Sequence, residues 1–454
     1  MQRLLKYAAF LLPIVLPMYV YRFNIGPLPT TVLEIYVLVF IITWLMLRVG
    51  GRRSDVGGAT GVSRFALHFP HPWRWPLLAW LAATLIAVAI APDRWAALGH
   101  WRAFVLEPIL VFIVINDLFK TTPNPSSLRR GIINGIGVVT LALGVYAVIQ
   151  YFTGIGIPSP WDDATMRRAT GIFGYPNGLS LFVAPFGAVC FMEWIRRVWE
   201  GDGQWPRLFF LLATAAALVA ELLAKSMGGI LALGIGMALV LIIKKETRKI
   251  GYALCAIGAI VAVAVAVRIY TTELHPQNIG DNVANSKKWS SMVRTVIWKE
   301  SAQIIKDHPL LGTGLRSYPT AILPYHKATW MEVFPHPHNI VLMLWIETGL
   351  LGLIAFMWIC WTWAVVCRRS SAISHQSGNG ISSDDRRLTT DDLLWVVPLI
   401  VILTHGMVDM PYFKNDLAIQ FWLLAALATA AGGVYHRTVN ADKRDGNNQW
   451  TNHQ

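Results

Sequence analysis

An all-α polytopic membrane protein is the fold class this sequence predicts, and three observations predict it. Of its 454 residues, 55% are hydrophobic and only 14% charged, too apolar a balance for a soluble domain. The apolar residues fall in runs close to the ~20 residues a helix needs to cross a bilayer. The basic residues lie between those runs rather than along one face, so the net charge of +13 suits anionic headgroups and excludes nucleic acid as the expected partner.

About twelve spans are expected, near residues 5–20, 28–47, 76–91, 103–118, 131–152, 174–195, 208–224, 228–243, 250–267, 339–366, 393–410 and 416–435. The first run, MQRLLKYAAFLLPIVLPMYV, has the basic start and apolar core of a signal peptide, but no small-residue cleavage site follows it. It is read as a first span, bent at Pro13 and Pro17.

With both termini cytoplasmic, most of the 39 lysines and arginines face the cytoplasm. Arg48/Arg52/Arg53, Arg129/Arg130, Arg196/Arg197, Lys244/Lys245/Arg248/Lys249 and Arg368/Arg369 all do so, as the positive-inside rule asks. The exception is 268–338, which concentrates the outside charge in one helical loop between the ninth and tenth spans. The chain thus divides into 1–267 with nine spans, the outer loop 268–338, and 339–437 with spans ten to twelve and a cytoplasmic linker at 368–392. A disordered cytoplasmic tail, 438–454, follows. Cys190, Cys255, Cys360 and Cys367 lie in or beside spans, so no disulfide framework is expected in the outer loop. The sequence has no Walker A loop, Rossmann glycine pattern or zinc-type cysteine spacing, and no cofactor is expected.

Within the outer loop, WSSMVRTVIWKESAQIIKDHPLLGTG places Met292, Val293, Val296, Ile297, Ile304 and Ile305 as on an amphipathic helix, stopped by Pro309 and the glycines. It reads as an interfacial helix lying against the membrane. Arg294 and Trp298, four apart, share one face; by itself Arg294 is equally a solvated charge or a snorkelling headgroup contact. Where the loop turns into the tenth span the sequence is FPHPHNIVLMLWIETG. Asn339 is a natural N-cap, and Pro335 and Pro337 hold the chain extended around His336 and His338. Alone, His-x-His leaves open an interfacial cap, a metal pair and a catalytic histidine.

PHPHNIVLMLWIETGLLG, with RTVIWKESAQIIKDHPLLGTG before it, THGMVDMPYF after it and RRATGIFGYPNGLS at 167–180, resembles the O-antigen ligase and polymerase superfamily. The resemblance covers essentially the whole chain, and its late large loop looks most like the ligase branch, similar in architecture to the GT-C class. It implies transfer of a glycan from undecaprenyl diphosphate to a sugar hydroxyl of the lipid A core, on the periplasmic face of the bacterial inner membrane. Such a donor is already activated, so the enzyme supplies a base for the hydroxyl and positive charge for the departing diphosphate. By position, His338 is the implied base and Arg294 grips the diphosphate. Arg167, Arg168, Arg316 and Lys225 are further phosphate candidates. With no paired-acid motif in the outer loop, a metal-independent, inverting reaction is expected.

The sequence departs from the family at the turn between spans seven and eight, which reads AKSMGG, with Met227 where an arginine is usual. Lys225 offers a less directional charge there; a simple tight turn is the other reading. His405 and Asp409, four apart on span eleven, either bind acceptor or orient a histidine, or form an intra-helix pair. Glu347, about 13 Å deeper than His338 at helical rise and turned away, reads as a structural contact with a neighbouring span. Glu34, Glu107 and Glu221 read as packing pairs, and Trp289, Trp298 and Trp330 as interfacial or sugar-stacking. The nearer rival functions are an O-antigen polymerase and a protein O-oligosaccharyltransferase. A non-enzymatic transporter would bury charges at the midplane of several spans, which this sequence does not.

Overall fold

The computed structural model describes residues 2–26, 28–50, 71–243, 246–271, 287–328, 330–376 and 393–431. The tail 438–454, part of the expected linker and residues 272–286 of the outer loop lie outside these. Each apolar run expected to be a span contains a helix. By length and apolarity, Arg3–Val20, Pro125–Thr153, Pro176–Glu200, Gln204–Ala224 and Ile340–Arg368 can each cross a bilayer, and four shorter apolar helices accompany them. The protein is a polytopic, predominantly helical membrane protein.

α1 (Gln2–Val15) passes into a 3-10 turn at Leu16–Val20, where Pro17 removes a backbone donor. A hairpin of β1 (Arg22–Ile25) and β2 (Leu28–Thr31) follows, with Arg22 opposite Thr31. This corrects the second span, expected from residue 28: Pro29 cannot enter a helix interior, and Gly26, at φ +58°, makes the turn. Helix α2 (Val32–Gly50) starts with a reciprocal cap. Glu34 N–H donates to Thr31 Oγ1 and Thr31 N–H to Glu34 Oε2, both at 3.0 Å. After α3 (Arg74–Ile90) comes a short helix, α4 (Arg94–Trp101), capped by Asp93, then a π-helical turn at Arg102–Leu106 that leads into α5 (Glu107–Thr121).

A long run of antiparallel helices comes next: α6 (Pro125–Thr153), α7 (Pro176–Glu200), α8 (Gln204–Ala224), α9 (Met227–Ile243) and α10 (Arg248–Thr271). α6, α7 and α8 pack against one another, and α9 against α10. α11 (Lys287–Asp307) and the single turn α12 (Tyr318–Ala321) form the loop region, and α13 (Ile340–Gln376) returns to the bundle. α13 runs into the expected linker because residues 367–376 contain neither glycine nor proline. α14 (Val397–Gly406) and α15 (Asn415–Ala431) complete the bundle. α15 is buried on almost every face and packs against α5 and α13, which marks it as a central helix.

One break positions the loop region. α13 is interrupted at Gly349, whose φ of 69° and ψ of −176° release backbone groups on either side. Loop residues take them up: Thr313 N–H donates to Ile346 O at 2.7 Å, and Leu350 N–H to Leu310 O at 3.0 Å. Irregular backbone inside a membrane helix persists where protein satisfies it. A few residues on, Leu315 N–H donates to Ala87 O at 3.0 Å, so the loop is clamped to both α3 and α13.

Candidate active site

Three segments distant in sequence meet at one end of the bundle: the Pro-His-Pro-His-Asn stretch before α13, the turn 407–414 after α14, and the start of α7. α11 braces them. Asn339 caps α13 as its type and place require, accepting from Val341 N–H at 2.9 Å and Leu342 N–H at 3.1 Å. Its amide also donates to Met407 O at 2.9 Å, tying α13 to the turn after α14. Trp298 Nε1–H donates to Pro337 O at 2.9 Å, so this tryptophan fixes the histidine segment. Between these two anchors His338 adopts φ +50°, a conformation few non-glycine residues take without being held.

His338 Nδ1–H donates to Asp409 Oδ1 at 3.1 Å. Asp409 accepts further from Asn177 Nδ2–H at 2.7 Å and Met410 N–H at 2.9 Å. Burial alone would raise its carboxyl; the His338 imidazole beside it, with His336 and His405, outweighs that and holds it below the usual carboxylate range. An ionised Asp409 fixes the tautomer of His338 and leaves Nε2 as the available base. The His336 ring packs edge-on to His338, with centroids 4.5 Å apart. Burial, then the neighbouring His338, pulls His336 down to about 4 although Asp409 opposes this, so His336 is neutral at pH 7.

Arg294 reaches the same place from α11. Its Nε–H donates to Val408 O at 2.8 Å, next to Asp409, and Nη1–H to the Ser290 hydroxyl. Arg168 approaches from the loop before α7: Nε–H donates to Ala224 O at 2.8 Å and Nη2–H to Asn177 Oδ1 at 3.4 Å, with the guanidinium 5.0 Å from the Trp161 ring centre. Burial and the Arg294 charge together pull Arg168 down to about 10. A continuous chain thus runs Arg168, Asn177, Asp409, His338.

The other expected residues are placed differently. Arg167 donates to Tyr151 O at 3.0 Å and Phe152 O at 3.4 Å, closing the end of α6. Arg316, at φ +62°, lies beside a surface groove with Pro92, Asp93 and Thr320. Lys225 caps α8 at φ +51°, its ammonium 5.8 Å from the Tyr151 ring centre. No hydrogen bond or ion pair among the described residues joins these three to His338. His405 is buried at the end of α14, against Gly228. Asp409 lies past the end of that helix, in the turn, because α14 stops at Gly406. The two stay joined there, since Asp409 N–H donates to His405 O at 3.1 Å.

The AKSMGG turn has a packing reason: a Cβ on Gly228 would meet Val408 Cγ2 at 2.6 Å, and one on Gly229 would meet Ser180 Oγ at 1.9 Å. Ser180 there donates to Glu221 at 2.5 Å, a packing pair as expected. Glu34 and Glu107 both meet Arg102, at 2.9 and 3.5 Å. Glu347 accepts from Tyr318 N–H at 3.4 Å, so its partner is the loop rather than a neighbouring span.

Two residues went unread in the sequence. Asn177 sits inside the Gly-Tyr-Pro-Asn stretch, where Pro176 starts α7, and nothing local separates it from an ordinary first-turn asparagine. Lys414 follows Pro-Tyr-Phe, and its signal is a lone lysine in front of a mostly apolar helix.

His336, His338 and Asp409 place one potential metal-ligand atom each within 4.8 Å of one another. The hydrogen bond to Asp409 occupies His338 Nδ1, so a divalent cation taken up without breaking it would be met by His338 Nε2.

Residues 209–357 match a family model described as O-Antigen ligase. That stretch includes Arg294, His336 and His338. The chain is 28% identical over 138 residues to a Rickettsia conorii protein named "Putative polysaccharide ligase", covering 29% of this chain and 33% of that one. It is 25% identical over 156 residues to a Rickettsia felis protein of the same name, 33% and 35% of the two chains. An uncharacterized protein of Haemophilus influenzae is 25% identical over 267 residues, 56% and 63% of the two. The chain thus spans between a third and just under two thirds of the length of these relatives.

Proposed function

We propose, from the O-antigen ligase family domain that this chain carries, that it transfers an O-antigen polysaccharide from undecaprenyl diphosphate to a sugar hydroxyl of the lipid A core. In this reading the molecule has about twelve spans in a GT-C-like arrangement in the bacterial inner membrane. Both termini are cytoplasmic and the His338 site faces the periplasm. The observation that carries the reading is the His338–Asp409 hydrogen bond, set beside Arg294 and Arg168.

The acceptor hydroxyl gives its proton to His338 Nε2 as its oxygen attacks the anomeric carbon. The bond from that carbon to the diphosphate oxygen breaks, and both electrons leave with the diphosphate, whose growing charge Arg294 and Arg168 meet. Asp409 stabilises the imidazolium that forms. A single displacement inverts the anomeric centre. No step calls on a metal ion.

The test is transfer by the purified full chain from a synthetic undecaprenyl diphosphate glycan, offered lipid A core, a second lipid-linked repeat, or an acceptor protein. The reading expects product on lipid A core, with inverted configuration and in the presence of EDTA. Product only on the second repeat or on protein would replace it with a polymerase or a protein O-oligosaccharyltransferase. Loss of transfer in EDTA that Mg²⁺ restores would refute metal independence.

A further inference from the structure

Lys414 closes the turn that carries Asp409, at the threshold of α15. Its ammonium lies 4.5 Å from the Tyr19 ring centre, 4.9 Å from Phe173 and 5.2 Å from Tyr175. These rings come from the first 3-10 turn and from the loop before α7, so two separate parts of the chain converge on one cation. Three aromatic faces attract an ammonium through their quadrupoles but accept little of its hydrogen-bonding capacity. The nearest carboxylate, Asp416, is 3.8 Å away, beyond hydrogen-bond reach. Among the described residues Nζ has no hydrogen-bond partner at all.

A lysine placed only to neutralise Asp416 would close that gap, because a charge-assisted hydrogen bond is shorter and stronger than a through-space pair. Buried polar groups are otherwise almost always satisfied, so a donor with three unused hydrogens asks what completes it. Nearby polar atoms are in the same condition: His336 Nδ1 and His405 Nδ1 also lack partners among the described residues. Lys414 is close enough to Asp409 and His336 for the charges to act on one another. Its side chain keeps 17% of its surface, all of it on the stem, while Nζ itself is buried and held among the rings.

We propose that Lys414 is a phosphate-binding residue of the glycan-transfer site, its caged ammonium donating to the diphosphate of the lipid-linked donor. The assignment rests on the donor reading above. It adds a cation from the turn that carries Asp409, so that the diphosphate and the base are positioned by one segment. The ligand class it selects is a prenyl diphosphate; a neutral prenol offers no acceptor of comparable strength.

The experiment measures binding of farnesyl diphosphate, and of farnesol as its uncharged counterpart, to the full chain in detergent. The Lys414→Gln variant is expected to bind farnesyl diphosphate at least ten-fold more weakly, with farnesol binding unchanged. In the Lys414→Gln/Asp416→Asn double variant the buried charge is rebalanced, and the weak binding is expected to persist. Recovery in the double variant would show that Lys414 merely offsets Asp416 and overturns the assignment, as would unchanged binding in the single variant. A measurement on the unaltered chain removes any dependence on folding of the variants: farnesyl diphosphate is expected to slow hydrogen exchange across the turn 407–414, read by mass spectrometry, while farnesol does not. Equal labelling with farnesyl diphosphate bound rejects the assignment and leaves the donor reading standing. No binding of farnesyl diphosphate by the unaltered chain brings down the donor reading and this assignment with it.

Discussion

His338 Nδ1 and Asp409 Oδ1 lie 3.1 Å apart across 71 residues of sequence, joining the start of α13 to the turn after α14. The bond leaves the other imidazole nitrogen free, and the carboxylate that makes it is fixed from behind by Asn177. Replacing Asp409 by asparagine keeps the shape and removes the charge. Turnover is expected to fall about 10²–10⁴-fold, the range for losing the partner that orients and stabilises a catalytic imidazole. Donor affinity is expected to stay within a few fold. An Asp409→Asn enzyme with normal turnover would dissociate the pair from the chemistry.

Arg294 is held by a backbone carbonyl and a serine, and its planar fork is what a lysine cannot reproduce. Arg294→Lys is expected to raise the KM for the lipid-linked donor about ten-fold or more, the loss of one charge-assisted hydrogen bond worth ~1.5–3 kcal/mol. If acceptor KM rises and donor KM does not, Arg294 serves the other substrate.

Gly349 has no room for a side chain: a Cβ there would meet Leu310 O at 2.2 Å, and its φ is already left-handed. Gly349→Ala is expected to destabilise the protein by about 2–4 kcal/mol, combining backbone strain with displacement of the loop. Thermal unfolding in detergent measures this. An unchanged melting temperature would mean that the break in α13 is not what docks the loop.

His336 supplies a pH dependence with a definite sign. Folded, it takes up its proton near 4; unfolded, near its ordinary ~6.5. Between these values the unfolded chain binds more protons, so the His336 contribution to stability falls as pH drops from about 6.5 to about 4. His336→Asn is expected to flatten the slope of melting temperature against pH in that window. An identical slope in both proteins would show that His336 titrates normally when folded.

Much of this was legible in the sequence, for identifiable reasons. The apolar helices were visible because a bilayer imposes long apolar runs, and Asn339 because an N-cap is a local rule. Trp298 and Arg294 were rightly placed on one face, since four-residue spacing sets it, yet the carbonyls of Pro337 and Val408 that they meet come from elsewhere in the chain. The hairpin at 22–31 was hidden behind apolar residues that fit a span, with only Pro29 and Gly26 to betray it. Asn177 and Lys414 were illegible because their meaning lies in partners such as Asp409 and Tyr19, on other elements.

Central to the account is that His338 moves the proton and does not merely shape the entry to α13. The direct measurement compares Ala and Gln at position 338 in the reconstituted transfer reaction, with farnesyl diphosphate binding measured on the same preparations. Both variants are expected to bind the diphosphate within about three-fold of the unaltered chain and to lose about 10²–10⁴-fold in turnover, as removal of a general base predicts. Near-normal turnover in either variant, with equal expression and binding, would contradict the account.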